Sequence, residues 1–257
     1  MCLVVFALGR HPRHRLVLAG NRDEAFARPA DALGRWADAP AVVAGRDREA
    51  GGTWLGATDD GRWSVLTNVR DPLHPRPARR SRGRLPSDFL SGSRSALDYA
   101  TRVHARRDAY DGFNLIVGDR RQTAVVSTRD AAVTLLGPGV YGLSNDRLDT
   151  PWPKLVRARH LLREALADDP VPHERLLDLL DDQEPAPDAD LPDTGVGLAL
   201  ERVLSPIRIV AGEYGTRVST ALTLDPSGGG RITERTWARS GAAQATRTVT
   251  LSPAARP

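Results

Sequence analysis

The chain opens on an unbroken apolar run, Cys2-Leu3-Val4-Val5-Phe6-Ala7-Leu8, and a second β-rich run covers 15–21 after the polar tip Gly9-Arg10-His11-Pro12-Arg13-His14. This pattern predicts a hairpin, with His11 and His14 exposed at its tip. The runs 52–58 and 62–68 flank Asp59-Asp60-Gly61 and predict another. The period then changes: Leu85, Phe89 and Leu90, followed by Ala96, Tyr99, Ala100 and Val103, recur at helical spacing. Strands return at 113–117 and 123–127. Pro151-Trp152-Pro153 opens a helix carrying Leu155, Val156, Leu161, Leu162, Ala165 and Leu166, with proline where the helix has no use for its N–H. A shorter helix follows through Leu176, Leu177, Leu179 and Leu180. The acidic, proline-bearing stretch 181–190 is a surface connection, because strands resume at 207–211, 218–224 and 231–237. Hairpins with helices between them predict an α+β fold of antiparallel sheets sandwiched by helices, read as a single domain over 1–257.

Composition narrows the classes. Of 257 residues, 40% are hydrophobic and 26% charged, enough to bury a large core. The single cysteine excludes an internal disulfide framework and a multi-thiolate metal site, and the histidines lack metal-ligand spacing, so no metal and no cofactor is expected. The seven-residue apolar start is too short for a signal peptide or a membrane span, and a cytoplasmic protein is the expectation. The net charge of +4 comes almost wholly from arginine, since Lys154 is the only lysine. Arginines concentrate at Arg76-Pro77-Ala78-Arg79-Arg80-Ser81-Arg82-Gly83-Arg84. That segment reads first as a solvated loop, then as the rim of an anionic-ligand site. Nucleic acid comes last, because no aromatic residues interleave to stack bases.

The candidate chemistry starts at Cys2. Removal of Met1 would leave one residue carrying a thiol nucleophile and a free α-amine, a base near ~7.7–8.0. The alternative is a small hydrophobe starting a buried strand. The second run exits through Ala19-Gly20-Asn21-Arg22-Asp23-Glu24. A tight hairpin brings this exit to Cys2, where an arginine would stabilise a thiolate and a carboxylate would orient an amine. In a regular strand, however, Arg22 and Asp23 point to opposite faces, so a kink or bulge is needed for both to serve one site. The other reading is a polar turn with an Arg–Asp pair. Asn68 and Asn145 each close a strand. They are either turn residues or donors to an oxyanion. Arg217, entering a strand after Gly215, is a cap, a rim charge or a second guanidinium in a cleft.

Taken together, Met1-Cys2-Leu3-Val4-Val5-Phe6, Ala19 to Glu24, Arg28-Pro29, Ala44-Gly45-Arg46-Asp47, Gly51-Gly52-Thr53-Trp54-Leu55-Gly56, Leu66-Thr67-Asn68, Leu143-Ser144-Asn145 and Tyr214-Gly215-Thr216-Arg217 resemble, in order and spacing, the NRDE family, also called the transport-and-Golgi-organisation type 2 family. The resemblance runs from Met1 to about Trp237. It implies an αββα sandwich similar to N-terminal nucleophile hydrolases of the choloylglycine hydrolase and penicillin V acylase group. It also implies roles: Cys2 as nucleophile with its amine as base, the Asn68 backbone N–H and the Asn145 side chain in the oxyanion hole, Asp23 holding the amine, and Arg22 and Arg217 lining the pocket and steadying the thiolate. Two departures stand out. The acylases separate the arginine from the aspartate by three positions, whereas here Arg22 and Asp23 are adjacent, and Val218 stands where a small polar residue is expected.

Two classes of function follow. One is a cysteine hydrolase or acyltransferase acting on an amide, thioester or ester through an acyl-enzyme at Cys2. The other is a haem or lipid carrier, which the resemblance also implies. Either would take a small, partly apolar molecule with an anionic group, to which the tryptophans and arginines point. The oligomeric state is not legible.

Overall fold

The computed structural model describes residues 2–74 and 80–253. Met1, whose removal the sequence reading expects, and 75–79 of the arginine-rich segment lie outside them. In chain order the elements are β1 (Cys2–Leu8), β2 (Leu16–Ala25), β3 (Ala30–Trp36), β4 (Ala39–Asp47), β5 (Leu55–Thr58), β6 (Trp63–Asn68), α1 (Arg84–Leu90), α2 (Ala96–His104), β7 (Phe113–Gly118), β8 (Thr123–Ser127), β9 (Thr134–Leu136) and β10 (Gly139–Leu143). Then come α3 (Pro153–Ala165), α4 (His173–Asp178), α5 (Leu198–Val203), β11 (Val210–Ala211), β12 (Tyr214–Leu224), β13 (Gly230–Trp237) and β14 (Ala243–Leu251). One antiparallel sheet runs β10-β1-β2-β12-β13-β14, with β11 on β12, and the other runs β3 to β9 in sequence order.

The apolar run of β1 is explained by burial on both faces. Cys2, Val4 and Phe6 join Trp54, Trp63, Val65 and Ile116 in the core between the sheets. Leu3, Val5 and Ala7 pack outward against Leu155, Ala158 and Leu162 of α3 and Leu176 and Leu177 of α4. A third core lies beyond the second sheet, where Phe89 of α1 and Ala96, Ala100 and Val103 of α2 cover Leu66, Leu115 and Val126. Three cores separate four layers, which is the αββα sandwich. Close approach needs glycine at two places. A Cβ on Gly142 would stand 2.8 Å from Leu155, so α3 could not lie on β10, and a Cβ on Gly20 would meet the Trp54 ring at 3.3 Å.

Several expectations change. His11 is buried, not exposed: its Nε2 lies 2.9 Å from the Asp168 carbonyl and its ring stacks on His14 at 4.8 Å. The strand expected over 207–211 is only Val210–Ala211, and Ile207 and Ile209 are buried in the segment leading to it. Val156 is half exposed, and Lys154 takes a place in the buried stripe of α3 instead. The sequence pattern did not reveal β14, most of whose residues face solvent, or β3, whose exposed, half-buried and buried positions follow no clean alternation.

His173 links α4 to the sheet: Nδ1 is 2.8 Å from Thr233 Oγ1 and Nε2 is 3.0 Å from Thr223 Oγ1. Burial, with the fields of Arg231 and His14, pushes its pKa down to about 3. The unfolded chain takes a proton at this histidine near ~6.5, so stability present above that pH is lost as pH falls toward about 3. Thermal melts between pH 7 and 4.5 should therefore show a Tm that falls with acid, and a shallower fall in His173→Gln. Equal slopes would rule out His173 as the source.

Candidate active site

The register of the sheet assembles the site. Cys2 stands opposite Arg22 of β2, Arg22 opposite Val218 of β12, and Val218 opposite Thr236 of β13. On the other side, Val4 pairs with Leu143 of β10. Cys2, Arg22, Val218 and Thr236 therefore form one row across four adjacent strands on the face toward the second sheet, with neighbours spaced about 4.8 Å, and Asn145 follows two residues beyond the last β10 pair.

The adjacency of Arg22 and Asp23 works because the site lies at a strand end. Arg22 points inward beside the thiol. Asp23 points to the helix side, one step past the first residue of β1, and its backbone N–H bonds to the Cys2 sulfur. The bulge is in the neighbouring strand: between Thr216 and Val218 the β12 register shifts, and Arg217 is the extra residue. This sets Thr216 opposite Asp23, where Thr216 Oγ1 donates to Asp23 Oδ1 at 2.7 Å, and keeps Val218 facing inward. The Tyr214 hydroxyl donates to the Asp23 carbonyl at 3.2 Å.

Asn145 fastens the two sheets together at this end. Its Nδ2 donates to the Asn68 carbonyl at 3.0 Å, and its own carbonyl accepts from the Arg70 N–H at 2.7 Å. Ser144 Oγ, 3.2 Å from Asn145 Oδ1, lies equally close to the Cys2 carbonyl. Asn68 can offer the site only its backbone, because it pairs with Phe113 on the outward face. The Leu66 N–H reaches Trp54 on the β5 side and the Val69 N–H reaches Gly112 on the β7 side. Alternation then turns the Asn68 N–H and carbonyl toward the β5 side, the edge where Asn145 lies.

A cleft of about 440 Å³ opens on this row. Cys2, Arg22, Asp23, Asn68 and Arg217 line it, together with Trp54. Asn145 is fully buried behind them. The arginines of the cleft are engaged: Asp47 holds Arg28 through two contacts, 2.5 and 3.1 Å, and Arg22 at 3.3 Å. Arg217 Nη1 donates to the carbonyls of Ala25 and Arg28 at 2.9 and 2.8 Å and so fastens the turn after β2. From the arginine-rich segment, Arg82 lines the cleft mouth and donates to the Gly112 carbonyl at 2.9 Å. Among the described residues no cluster of three metal-ligating side chains is present, and no helix is long and apolar enough to cross a membrane.

Residues 1–239 match the family described as Transport and Golgi organisation 2. The chain belongs to that family. It is 34% identical to the Transport and Golgi organization 2 homolog of Mus musculus over 260 residues, covering 91% of this chain and 92% of that one. The Homo sapiens homolog is 34% identical over 263 residues with the same coverage, and the Drosophila melanogaster protein is 29% identical over 174 residues, 60% of this chain and 61% of that one. Among solved structures, the conjugated bile acid hydrolase from Clostridium perfringens, determined as the mutant C2A, superposes with a TM-score of 0.53 over 98% of this chain and 92% of that one, at 9% identity. The fold of this Transport and Golgi organisation 2 family member is therefore that of an N-terminal nucleophile hydrolase.

Two features of the site differ from or extend the sequence reading. The arginines were expected to depress the thiol pKa. Instead burial pushes the Cys2 thiol up, the Asp23 charge adds to the rise, and Arg22 opposes it without prevailing. Sequence reasoning also missed the buried charges behind Asp23. Arg70 Nη1 bonds Glu201 Oε2 at 2.8 Å, and its guanidinium lies 4.9 Å from the centre of the Trp152 ring. Lys154 donates to the Leu204 carbonyl at 2.9 Å. The available signal was a lone lysine in the first turn of a helix, a place disfavoured by the helix dipole.

The opposing charges give a test. In iodoacetamide alkylation of Cys2 across pH, Arg22→Ala should move the half-maximal rate to higher pH and Asp23→Asn to lower pH. Shifts of the same sign, or none, would mean that the two groups do not act on the thiol as their placement requires.

Proposed function

We propose that the protein is an N-terminal cysteine hydrolase or acyltransferase acting on an amide, thioester or ester through an acyl-enzyme at Cys2. The observation that carries this reading is the pairing of Cys2 with Arg22 at a strand end, with Asp23 one step beyond and Asn145 bonded to the Asn68 carbonyl just past the end of β10. The mature chain begins at Cys2, and the Asp23 carboxylate accepts a hydrogen bond from its α-amine. The neutral amine takes the thiol proton as sulfur attacks the substrate carbonyl carbon. Negative charge collects on the carbonyl oxygen, which accepts from Asn145 Nδ2 and the Asn68 N–H. The carbon–heteroatom bond then breaks, the leaving group receives the proton from the α-ammonium, and a thioester remains on Cys2. Water, deprotonated by the same amine, or a second acyl acceptor releases the acyl group.

Burial raises the Cys2 thiol pKa, so the thiol needs a base to give up its proton, and the neutral form of the α-amine on the same residue is placed to take it. The substrate is a small, partly apolar molecule: Trp54 and Val218 supply apolar wall, and Arg82, paired with Asp111, lines the same cleft and would take an anionic group. A cytoplasmic location is part of the reading.

The test is intact-mass spectrometry with an activated acyl thioester probe. Wild type should lack Met1 and gain one acyl mass. Folded Cys2→Ala should gain none, and Asn145→Ala should acylate ~10²–10³-fold more slowly, the usual loss for one oxyanion donor. Because Asn145 also ties the sheets, its Tm is recorded alongside. Quantitative retention of Met1, or acylation that survives Cys2→Ala, would overturn the proposal. No acylation together with tight haem binding that weakens in Arg217→Ala would establish carriage of haem or lipid instead.

A further inference from the structure

Lys154 is the second residue of α3, and the buried stripe of that helix runs Lys154, Leu155, Ala158, Leu162 and Ala165. Its apolar members pack on the outward face of the β1 sheet. Asp23 points from the same face, just past the start of β1. A lysine here is disfavoured twice, once by burial of its ammonium and once by the positive end of the helix. Such a placement persists when a buried anion offsets both costs.

We propose that Lys154 is a positioning residue for the Cys2 site: its buried ammonium keeps the Asp23 carboxyl ionised, so that Asp23 can accept from the α-amine of the mature chain. This rests on the function proposed above and assigns a residue that the chemistry itself does not touch.

The surroundings support the assignment. The charged groups facing Lys154 are Asp23 of β2, Cys2 of β1, Arg70 after β6 and Glu201 of α5. Arg70 and Glu201 satisfy each other at 2.8 Å, with side chains 6% and 3% exposed. Thr194 further occupies Glu201, donating its N–H at 2.9 Å. With that pair neutral as a unit, Lys154 is the buried side-chain cation that, beside the α-amine, balances Asp23. Only one of its three donors is used by the Leu204 carbonyl, and that bond anchors the segment carrying α5 over the cluster. Burial pushes the Asp23 carboxyl up, and the field of the α-amine, the field of Lys154, the Thr216 hydroxyl and the field of Arg70 pull it back. Conversely, burial lowers Lys154 to about 8, against the raising fields of Asp23, Cys2 and Glu201. Removing the ammonium takes away one of the fields that oppose burial and moves Asp23 toward its protonated form, which can no longer accept from the amine.

The experiment reads the coupling apart from activity. The pKa of the Asp23 carboxyl is followed by ¹³C NMR, assigned with Asp23→Asn, in wild type, Lys154→Gln and Lys154→Arg. Lys154→Gln keeps a donor for Leu204 without charge, and Lys154→Arg keeps the charge. Acylation rate against pH is measured on the same proteins with the thioester probe. The expected result is an Asp23 pKa raised by about one unit or more in Lys154→Gln, with the acid limb of acylation moved to higher pH by a similar amount and Lys154→Arg close to wild type. If Lys154→Gln does not fold, Lys154→Met, a side chain of similar length suited to the apolar stripe, takes its place. An unchanged Asp23 pKa in the neutral variant, or equal shifts in the neutral and arginine variants, would overturn the proposal. Absence of acylation in wild type would overturn the proposed function, and the NMR titration alone would then decide whether Lys154 holds Asp23 ionised.

Discussion

A carboxamide that takes no part in the proposed chemistry fixes the register on which the site depends. β1 is apolar on both faces, so slipping it by one residue would exchange Val4 and Phe6 for Leu3 and Val5 at little hydrophobic cost, and the strand cannot choose its own register. β2 chooses it. Asn21 is fully buried, its Nδ2 donates to the carbonyls of Leu180 and Ile207 at 2.9 Å each, and its Oδ1 accepts from Ser219 Oγ at 2.6 Å. Ser219 in turn accepts from Trp237 Nε1 at 2.9 Å. A slip would strand these groups in an apolar layer, at a cost of about 1–3 kcal/mol for each one left unpaired. With Asn21 held on the helix side, Arg22 must face inward and Asp23 outward. Gly20 reinforces the choice from the inner face, where a Cβ would crowd the Trp54 ring at 3.3 Å.

From that register the electrostatics follow. Asp23 is buried on the helix side of the first sheet, and the fields of Lys154 and Arg70 reach it from two different parts of the chain. On the inner side, Asp47 gathers Arg22 and Arg28, so the guanidinium next to Cys2 is shared before any ligand arrives. This explains why Arg22 does not pull the thiol below its ordinary pKa. A guanidinium already facing a carboxylate offers a thiolate less, while burial acts on the sulfur undiminished.

The sequence made the hairpin of β1 and β2, the helices over the outer faces and the layer order legible, because each rests on apolar spacing. Of the candidate residues, Cys2, Arg22 and Asp23 are brought together by hairpin register and Asn145 bonds the Asn68 carbonyl, whereas Arg217 fastens the turn after β2. β14 was not legible, since most of its residues face solvent, nor was β3, which mixes exposed and buried positions without a period. The burial of His11 was missed because a hairpin tip was assumed to meet water, whereas the segment after α3 covers it through the Asp168 carbonyl. Lys154 and Glu201 were missed for a further reason. Each is a charged residue on a helix, a pattern that ordinarily marks a solvated face, and only tertiary packing turns them inward.

The adjacency of Arg22 and Asp23 looked like a conflict because strand alternation sends them apart. It becomes useful once the site is recognised as a chain end. The first residue of β1 presents two groups in different directions, its side chain toward the cleft and its nitrogen toward the open end of the strand. Residues on opposite faces of β2 can therefore meet the same residue of β1, one at its thiol and one near its nitrogen. The bulge at Arg217 extends this division into β12, holding Val218 on the cleft side and Thr216 on the side of Asp23. Without the extra residue, one of those two side chains would be on the wrong face, and Asp23 would lose its hydroxyl donor. An adjacent Arg–Asp pair and a one-residue bulge in the next strand are thus two parts of a single geometric solution.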